Sequence, residues 1–187
     1  MTPKLQAAAG LLGLMLLLPA HITALGCNSL KLEQQRLNSE SLKMLKEAGT
    51  KFPEECLENM TSFNLPAKTL KAHHPEFATK AIHEILQGFF SILSSDLVKS
   101  DWEYTTKTRF LNMVHAQSTH QRCLRKDVTL GWSKEEWKTK LKLKKYFKRI
   151  WVFLKENGQS SCAWDILRLE LQMGFIYTDI LTQRMDI

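Results

Sequence analysis

Few residues in this chain have types and spacings that could do chemistry. His83-Glu84 opens the pattern His-Glu-x-x-His, in which two histidines one helical turn apart hold zinc and the glutamate acts as base. Residue 87 is Gln, so the second ligand is missing. His115 and His120 stand five residues apart, on different faces of a helix. The chain has no Gly-x-Ser-x-Gly elbow and no phosphate-cradling glycine loop. Its four cysteines, Cys27, Cys56, Cys123 and Cys162, include no close Cys-x-x-Cys pair of the kind that binds zinc. In an oxidising compartment an even count implies two disulfides, with three pairings open. A thiol nucleophile is then excluded. We expect no enzyme, no metal and no cofactor.

The compartment follows from the first 26 residues. Lys4 supplies a short basic region, and Ala7 to Leu18 is an almost purely apolar run, too short to span a bilayer comfortably. Pro19 ends it, and Ala24-Leu25-Gly26 places small residues where a signal peptidase reads. A secretory leader over 1–26, cleaved before Cys27, and one secreted domain over 27–187 are expected. Cleavage leaves 25 basic against 19 acidic residues, a net charge of +6. That balance favours acidic partners without choosing one. Asn59-Met60-Thr61 is the single N-glycosylation sequon, which places Asn59 on an exposed loop.

The elements that must position these residues are all helical. Apolar residues recur at spacings of three and four, and β-branched runs are absent. A first helix is expected from about Ser29 to Ala48, stopped by Gly49. A connection of about 25 residues, Thr50 to His74, suits an overhand crossover. Pro75 opens the second helix, which Ser94-Ser95-Asp96 ends. The third runs from about Asp101 to Leu124. The fourth begins with the capping box Ser133/Glu136 and ends near Asn157-Gly158. The last opens near Ser160-Ser161 and continues to about Gln183. The expected fold is all-α: a five-helix bundle of the cytokine type, with one long overhand crossover and two disulfides.

Two segments carry more than a bundle requires. Seven of the twelve residues from Lys138 to Arg149 are basic, but Leu143, Phe147 and Ile150 interrupt them at helical spacing. The segment is therefore an amphipathic helix with a charged outer face. That face supports an alternative function, a cationic protein that binds glycosaminoglycan or membrane surfaces. The last helix has the stripe Trp164, Leu167, Leu171 and Phe175 for the core. Leu169, Met173 and Ile176 lie on roughly the other side, with Arg168 and Gln172 beside them. Either they pack under neighbouring helices, or they wait for a partner.

Tyr146-Phe147-Lys148-Arg149-Ile150 followed by Cys162-Ala163-Trp164-Asp165 resembles the C-terminal signature of the type I interferons, with Asp for the usual Glu. Cys56-Leu57 with Phe63, Leu65 and Pro66, and His83 through Phe90, resemble that family's crossover loop and second helix. The four cysteine positions match as well. The resemblance implies the pairings Cys27–Cys123 and Cys56–Cys162. It implies a secreted antiviral cytokine that bridges both chains of the interferon alpha/beta receptor and triggers JAK-STAT signalling. The high-affinity chain would meet Leu57, Arg168, Leu169, Gln172, Met173 and Ile176. The other chain would meet Phe90 and Lys144, where Lys144 replaces an Arg and loses its bidentate fork. Met60 stands where relatives carry a loop Arg, and a glycan on Asn59 would sit beside it. We expect a monomer, and, because a secreted protein rarely meets DNA, no nucleic-acid partner. Arg168→Ala is expected to weaken signalling and leave the fold intact, because Arg168 is taken to lie at the edge of the core stripe.

Overall fold

The computed structural model describes residues 30–49, 51–71, 74–97, 102–125 and 131–185. The expected leader and the expected Cys27–Cys123 bridge lie outside the described residues. Helix α1 spans Leu30–Glu47, a one-turn helix α2 Ala67–Leu70, α3 Pro75–Leu93, α4 Tyr104–Arg125, α5 Lys134–Asn157 and α6 Ser161–Gln183. A 3-10 helix, Glu54–Asn59, stands in the crossover ahead of α2. The five long helices fall where periodicity and caps place them, except that α4 begins a few residues late. The crossover differs in having two short helical turns of its own.

Local chemistry explains the boundaries. Pro75 occupies the first turn of α3, where its missing N–H costs nothing. At α5 the Ser133 hydroxyl accepts from the Glu136 N–H at 3.2 Å, and Glu136 Oε2 accepts from the Ser133 N–H at 2.8 Å. Burial alone would push the Glu136 carboxyl up. Hydrogen bonds from Ser133 and Lys80 outweigh it and hold the group below the usual carboxylate range. Ser160 caps α6 by accepting from the Ala163 N–H at 3.2 Å.

The helices α1 and α4 pack together, and α6 packs on both α1 and α3. Helix α3 also packs on α4 and α5. A line of aromatic rings joins them. Trp164 meets Trp102 at 5.1 Å, Trp102 meets Phe110 at 4.9 Å, Phe110 meets Phe175 at 5.7 Å, and Phe175 stacks on Phe89 at 6.1 Å. Phe89 lies so close to α6 that a Cβ on Gly174 would stand 2.2 Å from its ring. This contact requires glycine there. On the α1 side a buried polar set fixes register. Gln34 donates to Gln117 at 2.7 Å, Gln117 donates to Ser41 at 3.0 Å, and Asn38 donates to the Phe175 carbonyl at 3.0 Å.

Candidate functional site

Helix α6 is buried over a wider arc than its stripe suggests. Trp164, Leu167, Leu171 and Phe175 are all in the core, and so are Ala163, Ile166, Gly174 and Thr178. The cause is its neighbours: α1, α3, α5 and the crossover all touch it. The bridge Cys56–Cys162 fastens the 3-10 helix to the first turn of α6.

Arg168 does not lie at an edge. It is 2 % exposed and belongs to the buried set. Its Nη1 donates to the Gly49 carbonyl at 2.9 Å, and its Nη2 donates to Asp165 Oδ1 at 3.0 Å. The guanidinium therefore binds a carbonyl just past the end of α1, where the helix dipole favours a cation. Gln172, one turn on, donates to the Leu45 carbonyl at 3.0 Å. Both side chains pin α6 to the end of α1. The spacing held this signal: Arg168 follows Trp164 by four residues and precedes Leu171 by three, which is inside the stripe.

This placement changes the expected outcome for Arg168→Ala. Truncation leaves the Gly49 carbonyl and part of Asp165 without their donor and opens space under α6. A loss of about 2–3 kcal/mol is expected, measured by urea unfolding, with Arg168→Met recovering part of it through packing. A stability change below about 0.5 kcal/mol would contradict the buried role.

The outward strip of α6 is apolar. Met173 is 45 % and Ile176 44 % exposed, and Leu169 is half-buried on the same strip. Residues 169, 173 and 176 repeat at four and three, so they form one line along the helix. Leu57, 59 % exposed, and Met60, 50 % exposed, project from the 3-10 helix and its end. Asn59 between them is exposed, as a glycosylated asparagine must be. Behind the strip, burial pushes the Tyr146 phenol well up, with the Glu170 carboxylate adding to it. Burial likewise holds the Glu170 carboxyl above its ordinary range. Sequence reasoning gave neither group a buried role, because each is polar and only tertiary packing desolvates it.

Phe90 and Lys144 stand on different helices, α3 and α5, with separate neighbours. Phe90 is half-buried against the His115 ring at 5.6 Å. Lys144 is exposed and reaches over Trp137 at 5.8 Å. Lys140 lies over Trp132 at 4.7 Å and pairs with Glu84 at 2.7 Å. Trp137 is itself 45 % exposed. Within the basic run, then, Lys138, Lys140 and Lys144 already have partners, since Lys138 pairs with Glu135 at 2.9 Å. Among the described residues no group of three or more His, Cys, Asp or Glu side chains could hold a metal ion, and no helix is long and apolar enough to cross a membrane.

Comparison with known proteins gives these surfaces a context. The sequence profile of the interferon alpha/beta domain matches residues 30–185. Interferon beta of Tachyglossus aculeatus aculeatus is 34 % identical over 176 residues, covering 92 % of this chain and 94 % of that one. Interferon type A1/A2 of Gallus gallus is 30 % identical over 183 residues, covering 97 % and 95 %. Interferon beta of Homo sapiens is 31 % identical over 182 residues, covering 92 % and 95 %. The solved structure of zebrafish interferon 2 superposes with a TM-score of 0.66 at 22 % identity, over 79 % of this chain and 96 % of that one.

Proposed function

The chain belongs to the type I interferon (interferon alpha/beta) family, and on that premise we propose that it bridges the two chains of the interferon alpha/beta receptor and so starts JAK-STAT signalling. The family is one of cytokines, not enzymes, so the chemistry of this molecule is binding. Two faces of one rigid bundle hold two receptor ectodomains together, and each engagement makes the other effectively intramolecular. Secretion, with removal of 1–26, is part of the same proposal.

The observation that carries this reading is the exposed apolar strip of α6. A helix buried on most of its circumference still presents Met173 and Ile176 to solvent, with Leu57 and Met60 exposed on the 3-10 helix fastened to its first turn. Desolvating such side chains supplies affinity. Leu169, Met173, Ile176 and Leu57 are assigned to the high-affinity receptor chain. Arg168 and Gln172 act indirectly, by holding α6 against α1 so that the strip keeps its line. Phe90, against His115, and Lys144, over Trp137, are assigned to the other chain. A glycan on Asn59 would narrow access to Leu57 and Met60.

Met173→Ser/Ile176→Ser tests the assignment. Both side chains are nearly half exposed, so stability should change by less than about 1 kcal/mol. Potency in STAT phosphorylation, read in cells carrying a responsive interferon receptor, should fall roughly 10- to 100-fold, as for loss of two hot-spot contacts. Full potency from the folded variant would remove the strip from the receptor interface. No response from the folded parent chain would remove the receptor itself.

A further inference from the structure

We propose that the groove between the crossover and α5 binds a linear sulfated polysaccharide. Two adjoining depressions meet there. One is lined by Thr61, Ser62, Lys145, Lys148 and Arg149, the other by Asn64, Lys68, Lys142, Lys145 and Arg149. Lys145 and Arg149 line both, so the two adjoin, with the Arg149 side chain standing between them. Five cations face this groove, against the single carboxylate of Glu156.

The structure divides the basic run in two. Lys138, Lys140 and Lys144 are occupied by Glu135, Glu84 and Trp137. Lys145 and Lys148, and Lys68 from the crossover, have no carboxylate within ion-pair distance among the described residues. All three are exposed. Like charges gathered without counter-charges repel one another, and a polyanion relieves that repulsion.

The groove is built before any ligand arrives. Arg149 Nε donates to the Phe63 carbonyl at 2.8 Å, and its Nη2 donates to the Asn64 carbonyl at 3.2 Å. Asn64 takes φ 53°, the left-handed turn that asparagine tolerates. Lys142 donates to Thr69 Oγ1 at 3.0 Å. The crossover wall is thus fixed to α5, and ordering it is not a cost of binding.

Three features select the polyanion. The cations line concave depressions along the crossover, a shape in which a single polymer chain can lie. The two rings that line it, Phe63 and Phe153, pack edge-on against each other at 5.4 Å and Phe63 is in the core, so it lacks the row of open rings on which successive bases stack. The opposite wall offers the exposed hydroxyl of Thr61, suited to a sugar hydroxyl, beside Ser62 and Asn64, which hydrogen-bond each other at 3.2 and 3.3 Å. Lysine ammonium groups meet sulfate as point charges. The proposal rests on neither receptor surface assigned above.

The test is binding of the folded chain to a heparan sulfate oligosaccharide at 0.15 M and 0.5 M NaCl. The parent should bind and release with salt, as counterion displacement requires. Lys68→Gln/Lys145→Gln/Lys148→Gln should weaken binding at least about tenfold and flatten the salt dependence. The charge-matched Lys43→Gln/Lys46→Gln/Lys134→Gln, all exposed sites elsewhere, should weaken it less than about threefold. Glu156→Gln removes the groove's carboxylate and should tighten binding. Equal losses in the two triple variants would reduce the effect to net charge and overturn the site. So would no binding by the parent, or stronger binding to phosphatidylserine vesicles or single-stranded DNA.

Discussion

Cys56→Ser/Cys162→Ser is expected to lower stability by about 4–5 kcal/mol, because the bridge joins residues 106 apart and restrains the unfolded chain over that whole loop. Domains of this kind hold roughly 5–15 kcal/mol in total, so the variant would be marginal at body temperature. The native state loses a fastening as well. The 3-10 helix carrying Leu57 and Met60 is covalently tied to the first turn of α6 only through this pair. Potency should therefore fall further than the unfolded fraction accounts for. Urea unfolding should show a lower midpoint and a steeper dependence, since the unlinked chain exposes more surface when it unfolds. A loss below about 1 kcal/mol with unchanged potency would show that packing alone holds the crossover.

Trp164→Ala should cost about 3–5 kcal/mol, the usual range for deleting a core tryptophan. Trp164 is 2 % exposed and ends the line of rings that runs through Trp102, Phe110 and Phe175 to Phe89. The cavity cannot close easily. Helix α6 is held by the Cys56–Cys162 bridge two residues earlier and by Arg168 four residues later. Near-UV circular dichroism should lose its aromatic signal as the midpoint falls. The effect should not be additive with Arg168→Ala, because both loosen the same turn of α6. A loss under about 1.5 kcal/mol would mean that the site collapses and refills.

Much of this was legible in one dimension. Pro75, Ser133 with Glu136, and Ser160 mark helix starts because capping is satisfied by residues within one turn. The α6 core stripe followed from helical spacing alone. The exposure of Asn59 and the absence of catalytic spacing also needed no fold. The cysteine pairing was different: residues alone left three choices, and the family resemblance selected one.

What the sequence could not decide is how many neighbours each face would meet. Arg168 has a charged side chain, and charge normally means surface. Its position between Trp164 and Leu171 put it under α1, where its Nη1 and Nη2 donate to the Gly49 carbonyl and Asp165. The basic run looked like one uniform face. Tertiary structure brought Glu84 and Trp132 to Lys140, and carried the crossover with Lys68 beside Lys142 and Lys145. Helical periodicity is a local property, fixed by backbone geometry over a few residues. Desolvation and charge pairing depend on segments tens of residues apart, and here the helix packing and the crossover set which of them meet.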